Sequence, residues 1–375
     1  MHRRYVHPFG THTIKSRVPM RDLLGDKGSD LEEMTVLGLP VPPGFTLTTE
    51  ACARYQKVGR QLPNSIKMQV VTALRSLEKS RGADFGSKRN PLFLSVRSGA
   101  RVPTPGMVET ILNLGLNGMT VESFAKVCGD RVLAWSAYRS LVSGYGTVVL
   151  GVDATLFEAE LKRLKETMGS LEDKDLTAED WEKVTRAFLD LIQAETSQAF
   201  PQDTMAQLWG AIGAVFESWN MTRSITYWRL RRDPDDWGTA VIIQSMVFGN
   251  LGATSGVGLV SIRNLGTEGM AMSGRYCINA QAEDVFEGTH LMLPLNRQPS
   301  KTPATGSMEE AVPKAYEQLM GLTKKLGCHF GGEQEIPFLV EKGRLFIPGA
   351  ATRNPYPPSP TQISRKTVVS ALMGG

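Results

Sequence analysis

The sequence predicts an α+β fold of two or three subdomains. Three observations point there. The chain is 375 residues long, too long for one ordinary domain. Residues 122–231 carry helical apolar stripes, whereas residues 92–97, 239–248 and 259–263 read as short β-branched strands. Glycine- and proline-rich turns separate these runs.

Taken in order, the first element opens at Gly25-Asp-Lys-Gly28. Ser29 and Glu32 have capping-box spacing, so a helix is expected to start there and to end at Gly38. Val41-Pro-Pro-Gly44 is a rigid turn, and Phe45 to Thr49 reads as a strand. Residues 64–82 and 122–144 read as helices, with a strand at Leu92 to Arg97 between them. Thr177 with Asp180 marks another helix start, followed by a stripe of Trp181, Val184, Phe188, Leu191 and Ile192. Residues 153–200 thus form a charged helical region, and 204–231 continue as helix. Thr239 to Phe248 is a buried strand. Gly249 to Gly258 is a turn before a strand at Leu259 to Arg263. Residues 310–327 are helical, and Glu341-Lys-Gly-Arg344 joins two strands as a hairpin. A Pro-rich segment at 355–360 precedes a short helix from Ser364.

Hydrophobic residues make up 41% of the chain and charged residues 21%, enough apolar material for a core. No stretch approaches the roughly 18 apolar residues of a membrane span, so no membrane partner is expected. The net charge is +4. Residues 1–20 hold Arg3, Arg4, Lys15 and Arg17 and no acid, leaving 38 basic against 38 acidic residues in the remainder. Such a basic arm reads as a transit-peptide remnant, a nucleic-acid-contacting arm or a solvated tail. Cys52, Cys128, Cys277 and Cys328 form no C-x-x-C pair, which argues against a zinc site and for small buried groups in a reducing compartment.

Several blocks resemble the nucleotide-binding portion of pyruvate phosphate dikinases. They are Lys27-Gly-Ser-Asp-Leu-Glu-Glu-Met34, Gly38-Leu-Pro-Val-Pro-Pro-Gly-Phe45, Ser95-Val-Arg-Ser-Gly-Ala100 and the run from Pro105 to Asn117. Phe200-Pro-Gln-Asp203, Asp235 to Val241, Met246-Val-Phe-Gly-Asn250 and Asn279 to Asp284 continue the match. The resemblance implies an ATP-grasp fold with two lobes that clasp ATP and an inserted helical subdomain. It divides the chain into a basic arm (1–20), an N-terminal lobe (21–120), a helical region (121–232), a C-terminal lobe (233–354) and a Pro-rich tail (355–375).

The same resemblance implies roles for individual residues. Lys27 and Arg97 match phosphate-contacting cations, and Gly106 lies in a loop that covers phosphate. Gln244, Glu283 and Asp284 fall at nucleotide-binding positions, and Arg353 at a catalytic one. Magnesium takes oxygen ligands, usually one or two carboxylates plus phosphate oxygens. Glu335 retains a carboxylate, but Pro337 and Ala351 stand where the family has a ligating glutamate and glutamine. Arg275 reverses the charge of a family glutamate. None of the five histidines lies in the family's phosphohistidine motif.

The expectation is therefore ATP or AMP as ligand, with Mg2+ in doubt. The chain is expected to be a pseudoenzyme acting as a subunit of a larger complex. If the arm 1–20 is a transit remnant or an RNA-contacting tail, that complex is expected to be mitochondrial, with a ribonucleoprotein as one candidate; otherwise a cytoplasmic location is expected. The competing readings are an ATP-dependent phosphotransferase with an acceptor supplied in trans, and a nucleotide sensor.

Overall fold

The computed structural model describes residues 3–10, 20–100, 110–169, 172–221, 238–264, 270–281, 292–297, 306–330, 333–349 and 352–353. The chain divides into two compact units. The first takes in the described residues of 1–8, 14–28 and 43–246; the second takes in those of 9–13, 29–42 and 247–375. Both combine helices with antiparallel strands, so the α+β expectation holds.

The first unit is built on a sheet of β1 (Val6–Phe9), β2 (Gly44–Leu47), β7 (Ala240–Ser245), β5 (Leu94–Gly99) and β6 (Thr110–Leu114), in that spatial order. β7 lies in the middle, antiparallel to β2 on one side and to β5 on the other. All six of its residues are buried, the apolar run Ala240–Ile243 together with the polar Gln244 and Ser245. Two short strands, β3 (Asp84–Phe85) and β4 (Pro91–Leu92), pair in parallel beside it.

Helices α2 (Thr49–Lys57), α3 (Asn64–Arg81), α4 (Thr120–Cys128), α5 (Arg131–Val148), α6 (Ala154–Met168), α7 (Ala178–Thr196) and α8 (Thr204–Ser218) complete the unit. The single helix expected over 122–144 is two. Gly129 takes a left-handed φ of 74° and ends α4, and the Asp130 side chain accepts from Leu133 N to start α5. The Thr177–Asp180 capping box is present and opens α7. Its stripe packs on α5 and α6, with Phe188 and Phe157 ring centroids 4.9 Å apart. Asp203 caps α8, which ends at Ser218; residues 222–231 of the expected longer helix lie outside the described residues.

α1 (Met20–Val36) starts earlier than its capping box implies, and Gly25 (φ 73°, ψ 177°) breaks it. At Ser29 the helix is already running. Its end follows the sequence. Gly38 N donates to Thr35 O, and Leu39 N to Met34 O, which is the Schellman pattern with glycine in the left-handed position.

Residues 3–10, read from the sequence as part of a basic arm, are bound into the first sheet. Arg3 pairs with Glu50, Tyr5 N and Val6 N both donate to Gln69 Oε1, and Thr48 N donates to Tyr5 O. Residues 11–19 lie outside the described residues.

The second unit holds a sheet ordered β10 (Leu293–Pro294), β9 (Met270–Ile278), β8 (Gly256–Asn264), β11 (Glu333–Glu341) and β12 (Arg344–Phe346), with β13 (Thr352–Arg353) also on β11. The expected hairpin is there. Lys342 (φ 49°) and Gly343 (φ 79°) make a two-residue turn between the paired Glu341 and Arg344. Ser307 and Glu310 form a capping box on α9 (Met308–Ala311), and Pro313 opens α10 (Pro313–Phe330), splitting the helix expected over 310–327. The expected C-terminal helix and the Pro-rich segment lie outside the described residues. Among the described residues, Cys52, Cys128 and Cys277 form no disulfide.

Candidate functional site

The site is assembled where the α1 turn meets the end of β5. A Cβ at Gly25 would sit 2.0 Å from Gly99 O, so no other residue fits there without moving the backbone. Asp26 N donates to Ala100 O at 2.8 Å, pinning the turn to the strand. Lys27 is thereby held over the sheet. Gly28 lets the helix approach β2, since a Cβ there would lie 3.2 Å from Thr46 Cγ2.

Register decides what lies beneath. Thr46, Ile242 and Arg97 are directly opposite one another across β2, β7 and β5, and so share one face. Gln244, two residues along β7 from Ile242, is on that face too. Its Oε1 accepts from Arg97 Nη2 at 2.9 Å. Arg97 and Gln244 are 4% and 3% exposed. Buried Arg97 has its pKa pushed down to about 10 by desolvation, against the attraction of Asp26.

Lys27 Nζ is buried and has no hydrogen-bond partner among the described residues. Burial first, and then the Arg97 charge, lower its pKa to about 7, with Asp26 opposing. Burial raises Asp26, while the Lys27 backbone N–H and side-chain charge hold it down. Two desolvated cations thus face one carboxylate and a neutral amide. Such an arrangement lacks negative charge and suits an anion with several oxygen acceptors.

The second unit presents a different surface. Pro337 on β11 lies opposite Leu259 on β8, and Leu259 opposite Arg275 on β9, so the three form one row on one face. Glu335, Ser261 and Ser273 make the next row on the same face, with Thr352 opposite Glu335 on β13. Glu335 is 6% exposed. The hairpin explains why a proline is accepted inside β11. A two-residue turn makes Glu341 and Arg344 a hydrogen-bonded pair, so alternate residues back to Pro337 turn their backbone towards that flank. β12 reaches only to Leu339, and β13 covers only Gln334 and Glu335. Pro337 falls between them, where no ladder donor is required. Among the described residues, no group of three or more His, Cys, Asp or Glu is placed to hold a metal ion.

Residues 58–290, more than half of the chain, match the pyruvate phosphate dikinase AMP/ATP-binding domain. The chain belongs to this family. It is 41% identical over 348 residues to the pyruvate, phosphate dikinase of Rhizobium meliloti (strain 1021), covering 92% of this chain and 38% of that protein. It is 44% identical over 336 residues to the Clostridium symbiosum protein of that name, covering 89% and 37%. To pyruvate, phosphate dikinase 2 of Zea mays it is 39% identical over 342 residues, covering 91% and 38%. The chain thus spans under two-fifths of the length of these relatives. It is a dikinase-type AMP/ATP-binding domain.

Against this family, the positions implied by the sequence divide in two. Lys27, Arg97 and Gln244 come together in the first unit. Glu335 lies in the second unit. Only the backbone of Arg353 is described, opposite Gln334. Gly106, Glu283, Asp284 and Ala351 lie outside the described residues. Sequence reading missed Asp26 and Thr46. Asp26 sat in plain view within Gly-Asp-Lys-Gly, but only the turn shows its carboxylate acting on both cations. Thr46, whose buried Oγ1 has no hydrogen-bond partner, joins the face through strand register alone.

No helix among the described residues is long and apolar enough to cross a membrane.

Proposed function

We propose that this chain is a nucleotide-binding pseudoenzyme of ATP-grasp architecture with an inserted helical subdomain, serving as a subunit of a larger assembly. It holds ATP or AMP by the phosphates, on Lys27 and Arg97, without turning the nucleotide over. The observation that carries this reading is the buried pair of cations in a family whose domain binds AMP and ATP. Loss of turnover is supported by Pro337 and Ala351 at positions where the family resemblance implies magnesium ligands. In phosphoryl transfer, catalysis is almost entirely positioning and electrostatics, so a missing cation removes much of it.

Thermal unfolding with ATP, with and without magnesium, tests the reading. A ligand at 100 times its dissociation constant stabilises the folded state by about 2.7 kcal/mol. The expected result is a shift that does not need magnesium, with no release of ADP or AMP. A magnesium-dependent shift with product release would instead establish the competing reading, a phosphotransferase with its acceptor supplied in trans, which the retained Lys27 and Arg97 favour.

The setting proposed is a mitochondrial ribonucleoprotein. Arg3 is ion-paired with Glu50 and Arg4 donates to Val6 O, so the RNA contact in this reading falls to Lys15 and Arg17. Purification of the native chain with and without ribonuclease checks it; recovery without RNA-dependent partners would remove it.

A further inference from the structure

The Asp26 side chain occupies an unusual place. It immediately precedes Lys27, and its Oδ1 accepts the Lys27 backbone N–H at 2.7 Å. Its own N–H is tied to Ala100 O, which fixes the backbone from which the carboxylate projects. Its charge acts on both Lys27 and Arg97. Backbone N–H groups at a turn between two cations are the donors an anionic ligand would use. Here one of those donors is already taken by an internal carboxylate.

We propose that Asp26 is an internal competitor of the ligand: its carboxylate stands in for the incoming anion beside Lys27 and Arg97 and sets how tightly that anion binds. This rests on the reading of Lys27 and Arg97 as a phosphate site. The consequence is proton-linked binding. Besides Lys27 itself, the charged groups acting on Asp26 are Arg21, from its own helix, and Arg97, from β5. β7 and β2 contribute the neutral Gln244 and Thr46 to the same face. Lowering the pH through about 7 charges Lys27, whose ammonium favours an anion, so nucleotide binds more tightly in mild acid and more weakly in mild alkali.

The test uses the full chain and ATP without magnesium, titrated calorimetrically from about pH 5.5 to about pH 8. Asp26→Asn keeps an oxygen acceptor for the Lys27 N–H and removes only the charge. It is expected to bind ATP roughly tenfold more tightly than wild type at neutral pH. Asp26→Ser, a second neutral variant, is expected to do the same and serves if the first fails to fold. Wild type that binds ATP while both variants bind no more tightly would overturn the competitor role alone. Absence of binding by wild type and variants together would remove the phosphate site as well.

Discussion

The polar face of the first sheet and the Glu335 face of the second are built on similar antiparallel scaffolds but carry opposite chemistry. The first gathers Lys27, Arg97 and Gln244 under a helix turn, desolvated and poor in negative charge. The second presents a proline, a leucine and an exposed arginine in one row, with a single buried carboxylate beside it. Among the described residues, the buried cations lie together in the first unit, whereas the Glu335 face of the second offers one buried carboxylate among neutral and exposed side chains.

The sharpest way to break this comparison is to remove one cation from each unit. Lys27→Met should abolish the thermal shift by ATP. It should also raise the melting temperature of the free protein, since a buried unpaired amine is lost. Arg275→Met should change ATP affinity less than about twofold, because an exposed cation at a sheet face is already well solvated. Equal losses in the two variants would end the contrast.

Acid is the next probe. His7 on β1 is buried, its Nδ1 has no hydrogen-bond partner, and burial lowers its pKa from 6.5 to about 4. The unfolded chain therefore binds a proton in this window that the folded chain does not. The stabilisation is complete above about pH 6.5 and is lost as the pH falls towards about 4, by at most about 3 kcal/mol. His7→Gln should flatten the stability–pH curve there, read by urea unfolding at several pH values.

A lesion in the second unit sharpens the contrast. A Cβ at Gly258 would meet Phe338 Cζ at 2.3 Å, where Phe338 stacks on Tyr276. Gly258→Ala should cost about 1–3 kcal/mol by overpacking, measured by urea unfolding. The smallest expected effect is Thr177→Ala. Loss of this α7 cap should lower stability by about 1 kcal/mol, again by urea unfolding, and leave ATP binding unchanged.

Local signals were legible where local physics decides. The capping box of α7, the Gly38 stop and the Lys342-Gly343 turn all follow from residues within one turn of each other. Breaks were harder to read. Gly129-Asp130 and Pro313 each interrupt a continuous apolar stripe, and the stripe dominates a periodic reading. The capping box at Ser29 misled for a related reason: Ser29 and Glu32 have the right spacing, but Gly25 sets the break. The site was legible only in its members. Lys27, Arg97 and Gln244 could be named, but strand register places Thr46 with Arg97, and Arg275 in a row with Pro337. Register is fixed by pairing over long separations, which no local pattern encodes.

The position of β7 has a consequence for biosynthesis. Residues 240–245 fill the gap between β2 and β5, yet they follow β5 by some 140 positions in the chain. At ribosomal speed the emerging polypeptide waits roughly ten seconds or more before that wedge arrives. Throughout the delay two apolar strand edges stand open and ready to template a neighbour. The nascent chain is therefore most vulnerable to aggregation just before the helical stretch is finished, and a chaperone that shields those edges would act in that interval.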